Sequence, residues 1–229
     1  MSDLPKSIRI NEEGPREGFQ FEKGPIPTAR KVDLINALSN TGLKQIQIVS
    51  FVPPQNVPGM ADADEVVHNF TPNPNVAYTA LWLNERGLQR ALGHDEKLHL
   101  FGSIGLTCSA PFLLRNQKRT MEENLETQRS MIKMYQSHGI AVRRGSLMAA
   151  FGCNFAGDIA PALVADMVGQ QLDMAAEAGE VLEYVSLADT MAWATPLSIQ
   201  RVVGAVRSKY PDLKLSLHLH DTRGMGIAN

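Results

Sequence analysis

Residues 213–221 read L-K-L-S-L-H-L-H-D, an apolar run that ends in the pair His218 and His220, followed by Asp221. Side chains alternate across a strand with a period of two, so both imidazoles of an H-x-H pair point to the same side. Two convergent imidazoles at the end of a strand form half of a site for a divalent metal. A hydrogen-bonded core histidine is the alternative for either residue, and this stretch alone leaves it open.

The same succession of a short apolar strand and an amphipathic helix repeats along the chain, at roughly 30 residues per unit. Helical periodicity and capping signals predict helices over residues 28–39, 120–138 and 161–178, with Asp158 as a cap of the third, and a further helix after Thr195 and Pro196. The predicted strands are residues 8–11, 45–50, 76–82, 98–103, 141–147, 181–187 and 213–220.

Alternating strands and helices predict an α/β fold with a parallel sheet, either open and doubly wound or closed into a barrel. No strand is followed by a glycine-rich nucleotide-binding loop, and polar residues stand at the ends of several strands instead. Such an arrangement favours a (β/α)8 TIM barrel. Seven strands are visible and a barrel typically needs about 250 residues. We therefore predict a single barrel domain over residues 1–229, truncated before the last βα unit and lacking strand 8 and its helix.

Composition excludes several classes of protein. The chain has 229 residues and a formal net charge of −2, which predicts neither a nucleic-acid nor a membrane partner. Its start lacks the apolar core of a secretory signal, and no apolar stretch is long enough to span a membrane. The two cysteines, Cys108 and Cys153, make no disulfide framework, and we expect buried, inert thiols. The sequence therefore predicts a cytoplasmic protein.

A second group of candidate residues lies near the start of the chain, in the sequence G-P-R-E-G at residues 14–18. The glycines and the proline predict a tight loop that presents Arg16 and Glu17. Glu17 is a candidate oxygen ligand, and Arg16 would stabilise negative charge that develops on a substrate oxygen. With two imidazoles, this carboxylate suits Mg²⁺ or Mn²⁺, with Zn²⁺ as a third candidate, acting as a Lewis acid. A surface salt bridge in a turn is the alternative.

Several segments together resemble the hydroxymethylglutaryl-CoA lyase family, in the order in which that family carries them. The opening G-P-R-E-G-F-Q is similar to the G-P-R-D-G-L-Q of these lyases, whereas related synthases carry an L-R-D-G-x-Q version. The further matches are S-F-V-P-P at 50–54, V-P-G-M-A-D at 57–62, L-N-E-R-G at 83–87, F-G-C at 151–153, S-L-A-D-T at 186–190 and H-L-H-D-T at 218–222.

The resemblance implies a metal-dependent (β/α)8-barrel lyase. It would cleave a 3-hydroxy-3-methylglutaryl-CoA-like acyl-CoA, or a similar hydroxy acid, into an acyl-CoA (acetyl-CoA) and a keto acid. By the same resemblance, Arg16 would steady the enolate that forms as the carbon–carbon bond breaks. Glu17, His218 and His220 would hold the cation. Asp189 and Ser50 would complete the catalytic group as supports that orient the ligands.

Three departures from the family pattern accompany this resemblance. Glu17 replaces the usual aspartate ligand, and Gln47 stands where the family carries a glutamate, which removes a charged partner for Arg16. The family's asparagine ligand and its glycine-rich loop with a reactive cysteine would lie beyond residue 229. Two alternatives therefore stay open: an acetyl-CoA-condensing synthase of the same superfamily, and a catalytically impaired metal-binding or CoA-binding relative. Incomplete barrel closure would leave strand edges to cover, which is compatible with a homodimer.

Overall fold

The structure, a computed structural model, describes residues 5–229. Its contacts divide the chain into two compact units, residues 1–100 and residues 101–229. Each unit contains one parallel sheet with helices between its strands. The prediction of a single domain concerned residues 1–229 as a whole and stays a prediction.

The first unit contains a three-stranded parallel sheet in the order β1-β2-β3. Its central strand, β2, is an almost continuous run of buried residues, as expected for a parallel strand covered on both faces. The strands are β1 Asn11–Glu12, β2 Gln45–Ser50 and β3 Ala77–Leu81, and the helices are α1 Gly14–Phe21, α2 Thr28–Leu38, α3 Ala63–Asn69 and α4 Glu85–Leu92, with a 3₁₀ turn at Pro58–Met60.

The second unit contains a four-stranded parallel sheet in the order β4-β5-β6-β7. Because the strands run in the same direction, their carboxyl ends meet at one edge of this sheet, where Ala188 of β6 pairs with His218 of β7. The strands are β4 Gly102–Thr107, β5 Val142–Met148, β6 Tyr184–Ala188 and β7 Leu215–His218, and the helices are α5 Ala110–Gln117, α6 Met121–Ser137, α7 Pro161–Glu177 and α8 Pro196–Lys209.

Two of the predicted helix N-caps are confirmed and one is wrong. Thr120 opens α6 with a capping box, and Thr195 caps α8 with its side chain. The N-cap of α7 is Ala160, without a side-chain hydrogen bond, so the predicted cap at Asp158 is wrong. Pro161 starts α7 without such a cap, because its fixed φ already suits the first turn. Within residues 5–229, no helix has the length and apolar character needed to cross a membrane.

The agreement between predicted and observed strand bounds varies along the chain. The prediction for β2 matches its observed bounds, whereas β4, at Gly102–Thr107, lies four residues later than the predicted 98–103. The reason is composition, because Gly102, Ser103 and Gly105 carry little of the apolar signal by which strands are recognised. The short helices α3, α4 and α5 were not predicted, since seven or eight residues give too few turns for a clear period.

A buried glutamine joins α7 to two strands of the second sheet. Gln171 is fully buried, and its Nε2 donates to the carbonyls of Ile104 on β4 and Ser146 on β5, at 2.9 and 3.0 Å. A Cβ atom at Gly145 would lie 2.8 Å from Gln171 Oε1 and 2.9 Å from Val185 Cγ2. Only glycine therefore lets the helix approach the sheet closely enough for these bonds to form.

A buried lysine holds the segment against which α1 rests. Lys31 of α2 is 4% exposed, and its Nζ donates to Asp62 Oδ1 and to the carbonyl of Gly59, each at 2.6 Å. The second carboxylate oxygen of Asp62 accepts from Thr28 Oγ1 at 2.7 Å. Gly59 in turn packs on α1, because a Cβ at this position would lie 2.5 Å from the carbonyl oxygen of Phe19. Lys31 thereby fixes the support of α1.

We expect Lys31→Met to destabilise the protein by about 2–3 kcal/mol, because it leaves the Asp62 carboxylate without its cation. The effect is smaller than for a fully buried pair, since the side chain of Asp62 is 21% exposed. The matched control is Arg30→Met in the same helix, where the side chain is 78% exposed and lies 3.8 Å from Asp33. Urea unfolding followed by circular dichroism measures both, and equal midpoints for the two variants would contradict this role of Lys31.

Candidate active site

The segment that was predicted as a tight loop is the start of a helix. Residues 14–21 form α1, with Pro15 near its amino end and Glu17 in its first turn. Both residue types favour a helix start, because proline needs no hydrogen-bonded N–H there and a carboxylate suits the positive end of the helix dipole. The carboxylate of Glu12 accepts the N–H of Gly14 at 2.6 Å. The tight-loop prediction is therefore wrong, and Arg16 and Glu17 sit on a helical turn.

Arg16 is held by side chains from two elements. Its Nη2 donates to Glu13 Oε2 at 2.5 Å, and its Nε donates to Gln47 Oε1 of β2 at 2.6 Å. Glu17 Oε2 lies 3.4 Å from the same Nη2. The Arg16 side chain is only 11% exposed, which strengthens these charge-assisted bonds relative to a surface pair. Arg16 is therefore a fixed cation beside a carboxylate.

Arg16 has a charged partner although Gln47 is neutral. Gln47 still binds the guanidinium, through a neutral amide oxygen, and Glu13 supplies the carboxylate. The sequence prediction missed Glu13 because the segment was not recognised as a helix. At helical spacing, Glu13 lies three residues before Arg16, a separation at which side chains on one face meet.

Ser50 binds α1 through a glutamine. It ends β2, is fully buried, and its Oγ donates to Gln20 Oε1 at 2.8 Å. Gln20 lies on α1, one helical turn beyond Arg16. Gln47 and Ser50 thus attach the same helix to the same strand at two points. The contact places Ser50 in the support of Arg16, while its predicted role in catalysis stays a prediction.

His218 and His220 approach each other closely. His218 is the last residue of β7, and His220 follows two residues later, as the alternating pattern requires for side chains on one side. Their Nε2 atoms lie 3.2 Å apart and the rings meet edge to face, with centroids 5.0 Å apart. Both residues are half-buried. Two nitrogen donors this close together can bind one ion, with positions left for further ligands.

Asp189 is joined to the histidine pair through the sheet. It follows β6, and its backbone N–H donates to the carbonyl of His218 at 2.8 Å. Its Oδ1 accepts from the N–H groups of Trp193 and Ala194, at 2.7 and 3.0 Å. Asp189 is 1% exposed, and its Oδ2 has no hydrogen-bond partner among residues 5–229. A buried carboxylate oxygen in this state is costly, which is typical of a functional position.

The predicted site residues therefore fall into two groups. Arg16, Glu17 and Ser50 belong to the unit of residues 1–100, and the histidine pair with Asp189 belongs to the unit of residues 101–229. Within the first group, α1 and β2 hold Arg16. Within the second group, the edge formed by β6 and β7 holds the imidazoles and the carboxylate.

Known proteins resemble the whole of this chain. The HMGL-like family model matches residues 7–229. The mitochondrial hydroxymethylglutaryl-CoA lyase of Mus musculus is 34% identical over 230 aligned positions, which cover 100% of this chain and 67% of that protein. The 3-hydroxy-3-isohexenylglutaryl-CoA/hydroxymethylglutaryl-CoA lyase of Pseudomonas aeruginosa is 35% identical over 227 positions, covering 99% of this chain and 72% of that protein.

Solved structures give the same result. The hydroxymethylglutaryl-CoA lyase of Pseudomonas aeruginosa matches with a TM-score of 0.86 at 34% identity, over 99% of this chain and 72% of that one. The enzyme of Bacillus subtilis matches with a TM-score of 0.85 at 31% identity, over 98% and 72%. The enzyme of Acinetobacter baumannii, in complex with coenzyme A and 3-methylmalate, matches with a TM-score of 0.81 at 30% identity, over 100% and 72%.

These likenesses confirm the predicted fold class, the α/β barrel of carbon–carbon lyases. The chain belongs to the HMGL-like family, and the lyase class predicted from its motifs is confirmed. It spans about two thirds of the mouse protein and somewhat more of the bacterial ones.

Both cysteines lie near the carboxyl ends of strands but are buried. Cys108 follows β4, and burial raises the pKa of its thiol to about 12. Cys153 is fully buried, and its Sγ lies 3.0 Å from Ser109 Oγ. Because the thiolate is the reactive form, a raised pKa and exclusion of reagent both protect a thiol.

We expect both thiols to react with a disulfide reagent near pH 8 at least ~100-fold more slowly in the native protein than in concentrated guanidinium chloride. The variants Cys108→Ala and Cys153→Ala assign each phase by the loss of one reactive thiol in the denatured state. Rapid native labelling of either residue would show that it is accessible and would contradict its burial.

Proposed function

We propose that the chain is a divalent-metal-dependent lyase that cleaves a 3-hydroxy-3-methylglutaryl-CoA-like thioester into acetyl-CoA and a keto acid. The convergence of His218 Nε2 and His220 Nε2, 3.2 Å apart at the end of β7, is the observation on which this proposal rests. Family membership supports it, since the relatives are hydroxymethylglutaryl-CoA lyases. The Acinetobacter enzyme in complex with coenzyme A and 3-methylmalate supports acyl-CoA and hydroxy-acid ligands for this chain as well.

The residues present fit a divalent cation. Glu17, His218 and His220 have the donor atoms that could hold one, two imidazole nitrogens and a carboxylate oxygen. This set leaves positions for substrate oxygens and suits Mg²⁺, Mn²⁺ or Zn²⁺. When bound, the ion supplies Lewis-acid polarisation of the hydroxyl and carbonyl oxygens of the substrate. Glu17 is one methylene longer than aspartate, and its place on the first turn of α1 sets how far that carboxylate reaches.

Arg16 is proposed to stabilise the charge that moves onto the thioester. The reaction removes the proton of the 3-hydroxyl group and breaks the bond between C2 and C3. The bonding electrons pass into the acetyl-CoA fragment, whose carbonyl oxygen becomes negative until C2 is protonated. A guanidinium that is already fixed by Glu13 and Gln47 donates to such an oxygen without reorganising. Its Nη1 carries two further N–H donors for this purpose.

Asp189 and Ser50 are proposed as positioning residues. Asp189 binds the carbonyl of His218 and the loop of residues 193–194, and so fixes the imidazole pair relative to β6. Ser50 fixes α1 through Gln20, and with it the direction of Arg16. Neither residue needs to touch substrate in order to affect the rate, because small displacements of the reacting groups lower it steeply.

We expect Mn²⁺ to bind to the protein and His218→Ala to weaken that binding by at least about tenfold, since the loss of one donor leaves an incomplete set. Isothermal titration calorimetry gives the affinity without requiring catalysis. The matched control is His68→Ala, at an exposed histidine in the last turn of α3. An affinity that is the same in both variants and in the unchanged protein would remove the proposed metal site.

We expect Mg²⁺ or Mn²⁺ to support release of acetyl-CoA from 3-hydroxy-3-methylglutaryl-CoA, and Arg16→Gln to lower kcat by about 10²- to 10³-fold. Mass spectrometry detects both products, and the exposed Arg30→Gln serves as the control for loss of an arginine. Condensation of acetyl-CoA with pyruvate is assayed in parallel. A metal-binding protein that cleaves none of a panel of 3-hydroxy-3-methylacyl thioesters would refute the lyase proposal, and condensation activity alone would favour the synthase.

A further inference from the structure

The geometry points to Glu13 as the residue that positions Arg16, with Gln47 as its neutral counterpart. In the proposed lyase, on which this inference rests, Glu13 supplies the carboxylate that is hydrogen-bonded to the guanidinium, and the neutral Gln47 adds no further negative charge beside it. Glu13 is thus a positioning residue that acts through Arg16.

Glu13 contacts the start of α1 in two ways. Glu13 is the N-cap residue of α1, and its backbone carbonyl accepts hydrogen bonds from the N–H groups of Arg16 and Glu17, at 3.1 and 2.8 Å. Its side chain then reaches forward to Arg16 Nη2 at 2.5 Å. One residue therefore fixes the backbone turn and also the charged group which that turn presents.

Gln47 occupies the remaining donor on the same edge of the guanidinium. It is 5% exposed on β2, and its Oε1 accepts from Arg16 Nε at 2.6 Å. An amide oxygen gives this bond direction but adds no charge. The Nε–Nη2 edge, which a single carboxylate can bind in bidentate fashion, is here shared between one charged and one neutral acceptor.

The distribution of charge explains why the second acceptor is neutral. Two carboxylates, Glu13 and Glu17, already lie within 3.4 Å of Arg16 Nη2. A third carboxylate at position 47 would surround one buried cation with three anions. The surplus negative charge would oppose the approach of a carboxylate-bearing thioester, because like charges in a poorly solvated site repel strongly. The carboxylate at position 13 and the amide at position 47 therefore form a matched pair.

Exchange of the two groups tests this arrangement. The variants are Glu13→Gln, Gln47→Glu and the double variant that carries both changes, with the exposed Glu22→Gln at the end of α1 as control. We expect Glu13→Gln to lower kcat roughly 10- to 100-fold, because the guanidinium loses its charged anchor. We expect Gln47→Glu to raise KM about tenfold through repulsion of the anionic substrate. The double variant restores kcat and KM to within about threefold of the unchanged protein, since one carboxylate again holds Arg16.

Two results would overturn the inference. One is a Glu13→Gln variant with unchanged kcat, and the other is a double variant no more active than Glu13→Gln. Thermal melting of every variant separates these effects from loss of folding, since a purely structural role of Glu13 would lower the melting temperature without rescue of kcat by the second change.

A readout that needs no turnover separates this inference from the lyase proposal. Phenylglyoxal modifies arginines, and peptide mass spectrometry follows Arg16 alone. We expect modification of Arg16 to be several-fold faster in Glu13→Gln and slow again in the double variant, because a guanidinium held by a carboxylate is shielded. If the unchanged protein cleaves no thioester, the lyase proposal fails and this order of rates still supports Glu13. Equal rates in all variants would overturn the role of Glu13 even in an active enzyme.

Discussion

Parallel pairing of strands is the constraint from which the candidate site follows. In β4–β7 the strands share one direction, and from β5 to β7 the register is continuous, so residues that end them are neighbours although they lie far apart in sequence. Asp189 and His218 meet in this way, through a bond between the N–H of one and the carbonyl of the other. In the first unit, side-chain hydrogen bonds from Arg16 to Gln47 and from Ser50 to Gln20 attach α1 to β2. Polar side chains can lie at these strand ends, because burial of the apolar residues within each strand already supplies the free energy that stabilises the fold.

The second determinant is the way α1 is attached. This eight-residue helix is bound by Gln47 and Ser50 of β2 and packs against Gly59, whose carbonyl is held by Lys31. A short helix has little stability of its own, so its orientation depends on such tertiary contacts. The guanidinium of Arg16 is therefore held in place by residues that do not take part in the proposed reaction.

Much of the fold could be predicted from sequence, because it depends on periodic patterns. The buried run of β2 and the capping box of α6 are local signals, and both are confirmed. The tight loop predicted at the start of α1 is wrong because glycine and proline are typical of helix starts as well as of tight loops. The bounds of β4 differ from the predicted ones because the strand contains glycines and polar residues and is held by side-chain bonds from α6 and α7, which the strand itself does not encode.

For the candidate site, the sequence identified residue types and left their contacts open. The spacing of His218 and His220 predicts convergence from strand alternation, and the short distance between their nitrogens agrees, although β7 ends at His218. The contribution of Glu13 could not be found without recognising α1, since its contact with Arg16 requires a helical turn. The unpartnered oxygen of Asp189 depends on burial by distant segments, which no local pattern reports.

The two imidazoles are anchored unequally. His218 is the last residue of β7 and its carbonyl is bonded to Asp189, whereas His220 lies past the end of the strand. In the proposed metal site, the distance between the two imidazole nitrogens would adjust to the radius of the ion, because only one of the two histidines is held by the sheet. Discrimination between cations of similar size would then depend on the oxygen ligands and on the supply of each ion, with the histidine pair adding affinity but little selectivity.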